Sequence, residues 1–409
     1  MPASYSNNLT PKLRPIDAQP FVQNGQPALL LRDPLQLSGN YLVLPRDLGP
    51  VLGLFDGTRD LGGIRNTAMV RHGAAVPSDL LLQLVAVLDE NCMLDNARAA
   101  DAHQRGLEAY RQAAFRPPMM AGQSYPADPS QLSHLFDSYL DRVNGAHSVP
   151  AIGHGVISPH IDYPRGGLVY AAVWKQAAEM ARAADLVVLL GTDHYSLGDR
   201  LTLTRQNYAT PYGVLPTDTD IVDALVEVVG EEEAFAGELR NRGEHSLELV
   251  ATWLHHMRGG EPVDMVPILT GSFGDFVMGR GDPANDVVLT AFLDTLGRQI
   301  AGRNVLVVAS GDLSHVGPAF GGLPMDTKGR ARIQAADTEL MQHLAEGSAA
   351  GFFAAIRRER DRNNVCGVSP FYLMLRLLGD VEGQILAYDQ CPADQANASL
   401  VSVCGMVFG

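Results

Sequence analysis

The sequence predicts an α/β chain, a mostly parallel sheet flanked by helices, preceded by a small winged-helix-like domain. Three observations predict it. From residue 155 onward, short apolar runs alternate with amphipathic stretches at helical spacing, the pattern of strands crossing over through helices. Three of those runs end alike. Gly155–Ser158 leads into Pro159-His160, residues 186–190 into Gly191-Thr192-Asp193-His194, and residues 305–309 into Ser310-Gly311-Asp312-Leu313-Ser314-His315. Thirdly, residues 28–94 read as two short strands followed by short helices.

In chain order, residues 1–26 are rich in Pro, Asn and Gln and read as an extended lead-in. Strands are expected at 28–31 and 41–44, separated by Asp33-Pro34 and Ser38-Gly39-Asn40. Leu48 to Phe55 closes at Asp56-Gly57-Thr58, a helix follows from Leu61, and Ser78 stands as the N-cap of a helix over 79–91. Residues 27–95 therefore form the first domain. Residues 96–118 form a helical linker that ends at Arg116-Pro117-Pro118, because proline disfavours helix before it.

The second domain, 119–409, opens with Ala121-Gly122-Gln123-Ser124-Tyr125-Pro126 and an amphipathic helix over 131–142. Its strands are expected at 155–158, 185–191, 201–204, 263–269, 304–310, 384–388 and 399–408. Its helices are expected at 167–183, 219–230, 246–257, 285–301, 329–345 and 368–378.

Composition narrows the function classes. At 409 residues with net charge −15, the chain lacks the basic surface that nucleic acid or an anionic membrane requires. No apolar run approaches the roughly 20 residues needed to cross a bilayer, and the N-terminal residues lack a secretory pattern. The cysteines Cys92, Cys366, Cys391 and Cys404 show no CxxC spacing, which argues for reduced thiols and a cytoplasmic protein.

Groups just beyond the carboxyl ends of parallel strands converge on one crevice, so the three strand endings point to a site, most simply a metal site. His160 and His194 are the imidazole candidates; neutral imidazole suits Fe, Cu, Zn and Ni alike. Cys366 precedes an apolar helix, where the dipole would favour thiolate. Asp312, His315, Glu244 and His245 could ligate the metal or shuttle protons, while Glu244 and Ser246 also suit a helix cap. His255-His256 read as surface residues, and Arg165-Gly166-Gly167 as either an anion site or a place of close packing.

Two resemblances follow from these residues. The strand pair, Leu54-Phe55-Asp56-Gly57-Thr58, the helix from Leu61 and the helix running into Cys92-Met93-Leu94 resemble PqqD-like peptide-binding domains. That implies a peptide partner for residues 27–95, the alternative being an accessory domain without a ligand. Pro159-His160, Gly191-Thr192-Asp193-His194, Glu244-His245-Ser246-Leu247-Glu248, Ser310 to Gly317 and Cys366-Gly367 resemble, in order and spacing, the Memo family, whose prokaryotic members are called AmmeMemoRadiSam system protein B. The resemblance covers residues 120–409. It implies a fold like that of class III extradiol dioxygenases and a metal site of His160, His194 and Cys366, with Asp312 and His315 beside it. It further implies Fe(II) or Cu as the metal, and an AMMECR1-type protein and a radical SAM enzyme as partners. Three functions are then open: a redox-metal protein with oxidoreductase activity, an extradiol-type dioxygenase, or a peptide-binding scaffold.

The sequence departs from the family pattern at Met120, at Ile161-Asp162-Tyr163 and at Gly191-Thr192-Asp193-His194. Asp162 and Asp193 are thereby expected to add carboxylates beside the site and shift it toward harder metals.

Overall fold

Alternation along each buried strand sets the centre of the sheet. In the computed structural model, which describes residues 8–143 and 153–409, Val188 and Leu190 join one apolar layer while Val187 and Leu189 join the other. Val307 and Ala309 oppose Leu306 and Val308 in the same way. Strands covered on both faces read as continuous apolar runs, which is why these were legible. One layer is filled by Leu289, Phe292 and Leu296 of the helix Val287–Ile300 and by Phe371 and Leu375 of Val368–Leu378. The other is filled by Tyr170, Trp174 and Ala177 of Tyr163–Ala183 and by Val250, Trp253 and Leu254 of Ser246–Met257.

The chain divides into two units, 1–112 and 113–409. In the second, the strands lie in the order Leu400–Phe408, Gly155–Ser158, Val305–Ser310, Leu186–Thr192, Asp264–Thr270, Leu201–Leu203. The four inner strands are parallel. The outer pairings are antiparallel, and Gly383–Pro392 and His315–Val316 both pair with Leu400–Phe408. The sheet is therefore mixed, parallel where the site lies. Val305–Ser310 sits between two strands that precede it in sequence, and Ser310 stands level with Ser158 on one side and Gly191 on the other. That register brings the residues after Ser158, Gly191 and Ser310 to the same height. Among the described residues no helix is long and apolar enough to cross a membrane.

The first unit is a three-stranded antiparallel sheet, Asp17–Gln23, Gln26–Arg32 and Tyr41–Pro45, with helices Leu61–His72, Ser78–Glu90 and Ala97–Gln112. The strand Asp17–Gln23 corrects the expected lead-in. It hairpins onto its neighbour through Asn24-Gly25, both at positive φ (50° and 77°), as a two-residue Asn-Gly turn should. Asp60 caps Leu61–His72 by accepting from Gly63 N at 2.7 Å. Ser78 is not an N-cap: Pro77 holds that position, and Ser78 is the first helical residue. The core of this unit gathers Leu31, Val51, Phe55, Ile64, Leu84 and Leu88.

Candidate metal centre

Proline ends the first site strand. With no N–H to offer the sheet, Pro159 releases the chain and His160 turns in under the neighbouring strand end, 1% exposed. Its backbone N–H donates to Asp312 Oδ1 at 2.9 Å. Its Nε2 lies 3.1 Å from Cys366 Sγ and 3.9 Å from Asp312 Oδ2. The Asp312 N–H donates to Cys366 Sγ at 3.1 Å, and Gly367 N–H donates to Asp312 O at 3.0 Å. This close approach needs Gly311, because a Cβ there would lie 2.5 Å from Gly367 Cα. One donor group of the site is thus His160, Asp312 and Cys366, with ligand atoms within 4.8 Å of one another.

His160 also belongs to a second such group, with His194 and His245. The His194 and His245 rings stack at 4.8 Å, and the His160 ring meets them at 4.9 and 5.3 Å. Glu244 organises this triad. Its buried carboxylate accepts from the backbone N–H groups of His194, His245 and Ser246 at 2.7–3.1 Å. It also lies 3.1 Å from His194 Nδ1 and 3.2 Å from His245 Nδ1. Glu244 is therefore the carboxylate that orients two imidazoles, leaving their Nε2 atoms for the centre, whereas the expected capping role is not found: His245 holds the N-cap position and Ser246 is the first helical residue.

Burial dominates the proton affinities. It holds His160 well below the usual imidazole value, helped by the neighbouring His194 and His245, so His160 presents a neutral ring. Burial also acts against a charged His194, but Glu244 and Cys366 outweigh it and raise His194 well above its ordinary value. Glu244 is the counterpart: burial works to raise it, yet His194 and His245 hold it well below the carboxylate range. The Cys366 thiol is pushed up by burial, with His194 opposing. This corrects the expectation that the helix dipole frees a thiolate there. A metal held by Cys366 would have to displace that proton.

Asp312 is pushed up by burial to about 6. A carboxyl raised in the folded state binds more protons than in the unfolded state between roughly pH 4 and 6, so stability falls as pH rises through that window and the cost is complete above it. In metal-free protein, Asp312→Asn should therefore raise stability at pH 7.5 by up to about 3 kcal/mol, two pKa units' worth, and by little at pH 4. Paired urea denaturations at the two pH values check this; equal gains at both would contradict it.

His315 lies beside the centre and outside both donor groups. Its Nδ1 is held by Leu313 O at 3.1 Å and Asn364 O at 3.0 Å, and burial pushes it down to about 4. Asp162 and Asp193 do not add carboxylates to the site. Asp162 caps Tyr163–Ala183 and pairs with Arg165, and Asp193 is bonded to Arg240 Nε at 2.7 Å. Arg165 is thereby engaged, and Gly167 packs under Tyr139, where a Cβ would lie 2.5 Å from the ring, so close packing explains the pair of glycines. Nor are His255 and His256 surface residues. His255 is buried, bonded to Thr210 Oγ1 at 2.7 Å and Gly260 O at 2.9 Å. His256 is half-buried against Phe136 and Trp253.

One supporting pair escaped the sequence reading. Arg116 and Glu248 form a fully buried ion pair at 2.6 Å. Glu248 also accepts from Met119 N, Met120 N and Tyr125 OH, while Arg116 donates to Asn241 O and Glu244 O. The available signal was a carboxylate beside the apolar face of Leu247, Val250, Ala251 and Leu254, in a helix with few other charged residues.

A cavity of about 330 Å³ opens onto His194 and Cys366 between Phe273, Val277 and Val368. The imidazoles of His160 and His194, the Cys366 thiol and the Asp312 carboxyl behind it are a donor set that fits a first-row metal such as iron or copper.

These features define an α/β protein with a His, Cys and carboxylate cluster at the carboxyl ends of parallel strands. The chain belongs to the Memo family: residues 116–407 match the family described as Memo-like protein. It is similar to a MEMO1 family protein of Aquifex aeolicus, 28% identical over 98% of this chain and 100% of that one. A MEMO1 family protein of Methanopyrus kandleri is 29% identical over 67% of this chain and 91% of its own. One of Thermus thermophilus is 27% identical over 81% and 93% respectively.

Proposed function

We propose that this Memo-family chain is a redox-metal protein that holds Fe(II), or alternatively Cu, through His160, His194 and Cys366, and acts as an oxidoreductase at that centre. The observation that carries the reading is the 3.1 Å approach of Cys366 Sγ to His160 Nε2 in one donor group, together with the place of His160 in a second group with His194 and His245. When bound, iron or copper would supply one-electron redox chemistry and, for iron, an open position for O₂. The chain's own residues do the rest. Glu244 fixes the ring orientation of His194 and His245. Asp312, with its carboxyl near 6, is the group suited to give or take a proton beside Cys366 at neutral pH. His315, pushed down to about 4 by burial, is a neutral ring beside them.

An extradiol-type Fe(II) dioxygenase is the second reading, favoured by the Asp312 carboxylate standing in one donor group with His160. Anaerobic metal titration separates the two. The thiolate reading expects Cys366→Ser to weaken Fe(II) or Cu(I) retention about tenfold or more, with Asp312→Asn milder; the reverse order would favour the dioxygenase. Unchanged metal content in both variants would sink either.

Capture of a peptide by residues 27–95, and association with an AMMECR1-type protein and a radical SAM enzyme, belong to the same proposal. The Aquifex aeolicus relative aligns over almost the whole chain, so in both proteins the first unit accompanies the Memo portion.

A further inference from the structure

A second cavity, about 590 Å³, lies on the other side of the Cys366 loop and has His315 in its wall. Its chemistry is unlike that of the rest of the molecule. Lys328, Arg332 and Arg362 all line it, in a chain whose net charge is −15. Arg362 pairs with Glu359 at 2.7 Å, but among the described residues Lys328 and Arg332 form no ion pair. The acidic residue in the wall, Asp326, is committed to capping Thr327–Ala345 by accepting from Gly329 N at 2.7 Å.

The placement of Lys328 and Arg332 runs against local helix energetics twice. They stand four residues apart on one face, where like charges repel. They also lie in the first two turns, where the positive end of the helix dipole disfavours cations; the one acid at that end, Asp326, is spent on the cap. Residues that break local rules without a partner in the chain mark places where the compensation comes from outside. The opposite wall is apolar: Phe320 is 37% exposed and Leu323 85% exposed, and Phe320 meets the His315 ring edge-on at 5.2 Å. The volume is that of a small-molecule site, not of a flat protein interface.

We propose that this cavity is the substrate subsite of the centre, and that it binds a small organic anion, a carboxylate or phosphate group held by Lys328 and Arg332 with its apolar body on Phe320 and Leu323. This rests on the reading that the centre acts on a small molecule. The anion anchors one end, and the apolar body lies over Phe320 and Leu323 beside His315, the lining residue that stands next to the centre. His315 is held by its Nδ1 hydrogen bonds to Leu313 O and Asn364 O, so the wall facing the ligand is fixed before it arrives.

The test is calorimetric titration of the full-length protein with phenylacetate, benzyl phosphate and neutral phenylacetamide, with metal content measured on each preparation. The proposal expects saturable binding of at least one anion, weakened by added salt, with no binding of the amide at the same concentrations. Preference for either anion supports it and names the headgroup. The double variant Lys328→Gln, Arg332→Gln should bind the preferred anion at least about tenfold more weakly and keep its metal. His160→Ala should lose metal and keep the anion. Equal affinity in the double variant, equal binding of the amide, or no saturable binding of either anion would overturn the proposal and leave the metal reading standing. Wild-type protein that binds the anion but retains no metal would instead remove the metal reading alone.

Discussion

His160→Ala should lower metal retention by about a hundredfold or more, a larger loss than any other single replacement at the centre. The reason is its position in both donor groups, one with Asp312 and Cys366 and one with His194 and His245. His245→Ala removes a member of one group only and should cost about tenfold, the scale of a supporting contact. Nothing essential to the local backbone is lost with the imidazole, because the hydrogen bond from residue 160 to Asp312 is made by the main-chain N–H. Chelator competition followed by elemental analysis reads the difference. If His160→Ala retains metal as well as His245→Ala does, His160 is not the shared ligand.

The largest stability effect should come from Glu248→Ala. Removing that carboxylate leaves the Arg116 guanidinium, with a side chain wholly shielded from solvent, without its counter-ion. Breaking one partner of a buried pair costs about 3–5 kcal/mol. The Tyr125 hydroxyl and two backbone N–H groups lose their acceptor as well. For a unit of this size the thermal midpoint should fall by about 10 °C, and a shift of less than about 2 °C would contradict the account. The effect should reach the centre, since Arg116 also donates to Glu244 O, next to the carboxylate that aligns His194 and His245. Metal retention and stability should therefore fall together in Glu248→Ala, whereas in Asp312→Asn they should move in opposite directions.

What could be read from the sequence follows from which signals are local. The inner strands were legible because each is a closed apolar run, and the helices Ser246–Met257 and Val368–Leu378 because their apolar faces repeat at helical spacing. The strand Asp17–Gln23 was hidden by its exposed, polar composition, although Asn24-Gly25 advertised the hairpin. At the site, the strand endings pointed to His160, His194 and Asp312 because the parallel register turns equal offsets in sequence into neighbours in space. The same logic could not say where Asp162, Asp193 or His255 would find partners, since Arg165, Arg240 and Thr210 meet them only through the tertiary fold. Nor could it foresee that burial pushes the Cys366 thiol up.

The central claim, a thiolate beside imidazoles on one metal, is tested most directly by X-ray absorption at the metal edge of anaerobically loaded protein. The account predicts one sulfur scatterer near about 2.3 Å together with nitrogen or oxygen scatterers near about 2.0–2.1 Å, with the sulfur shell lost in Cys366→Ser. A first shell of nitrogen and oxygen alone in the unmodified protein would contradict it.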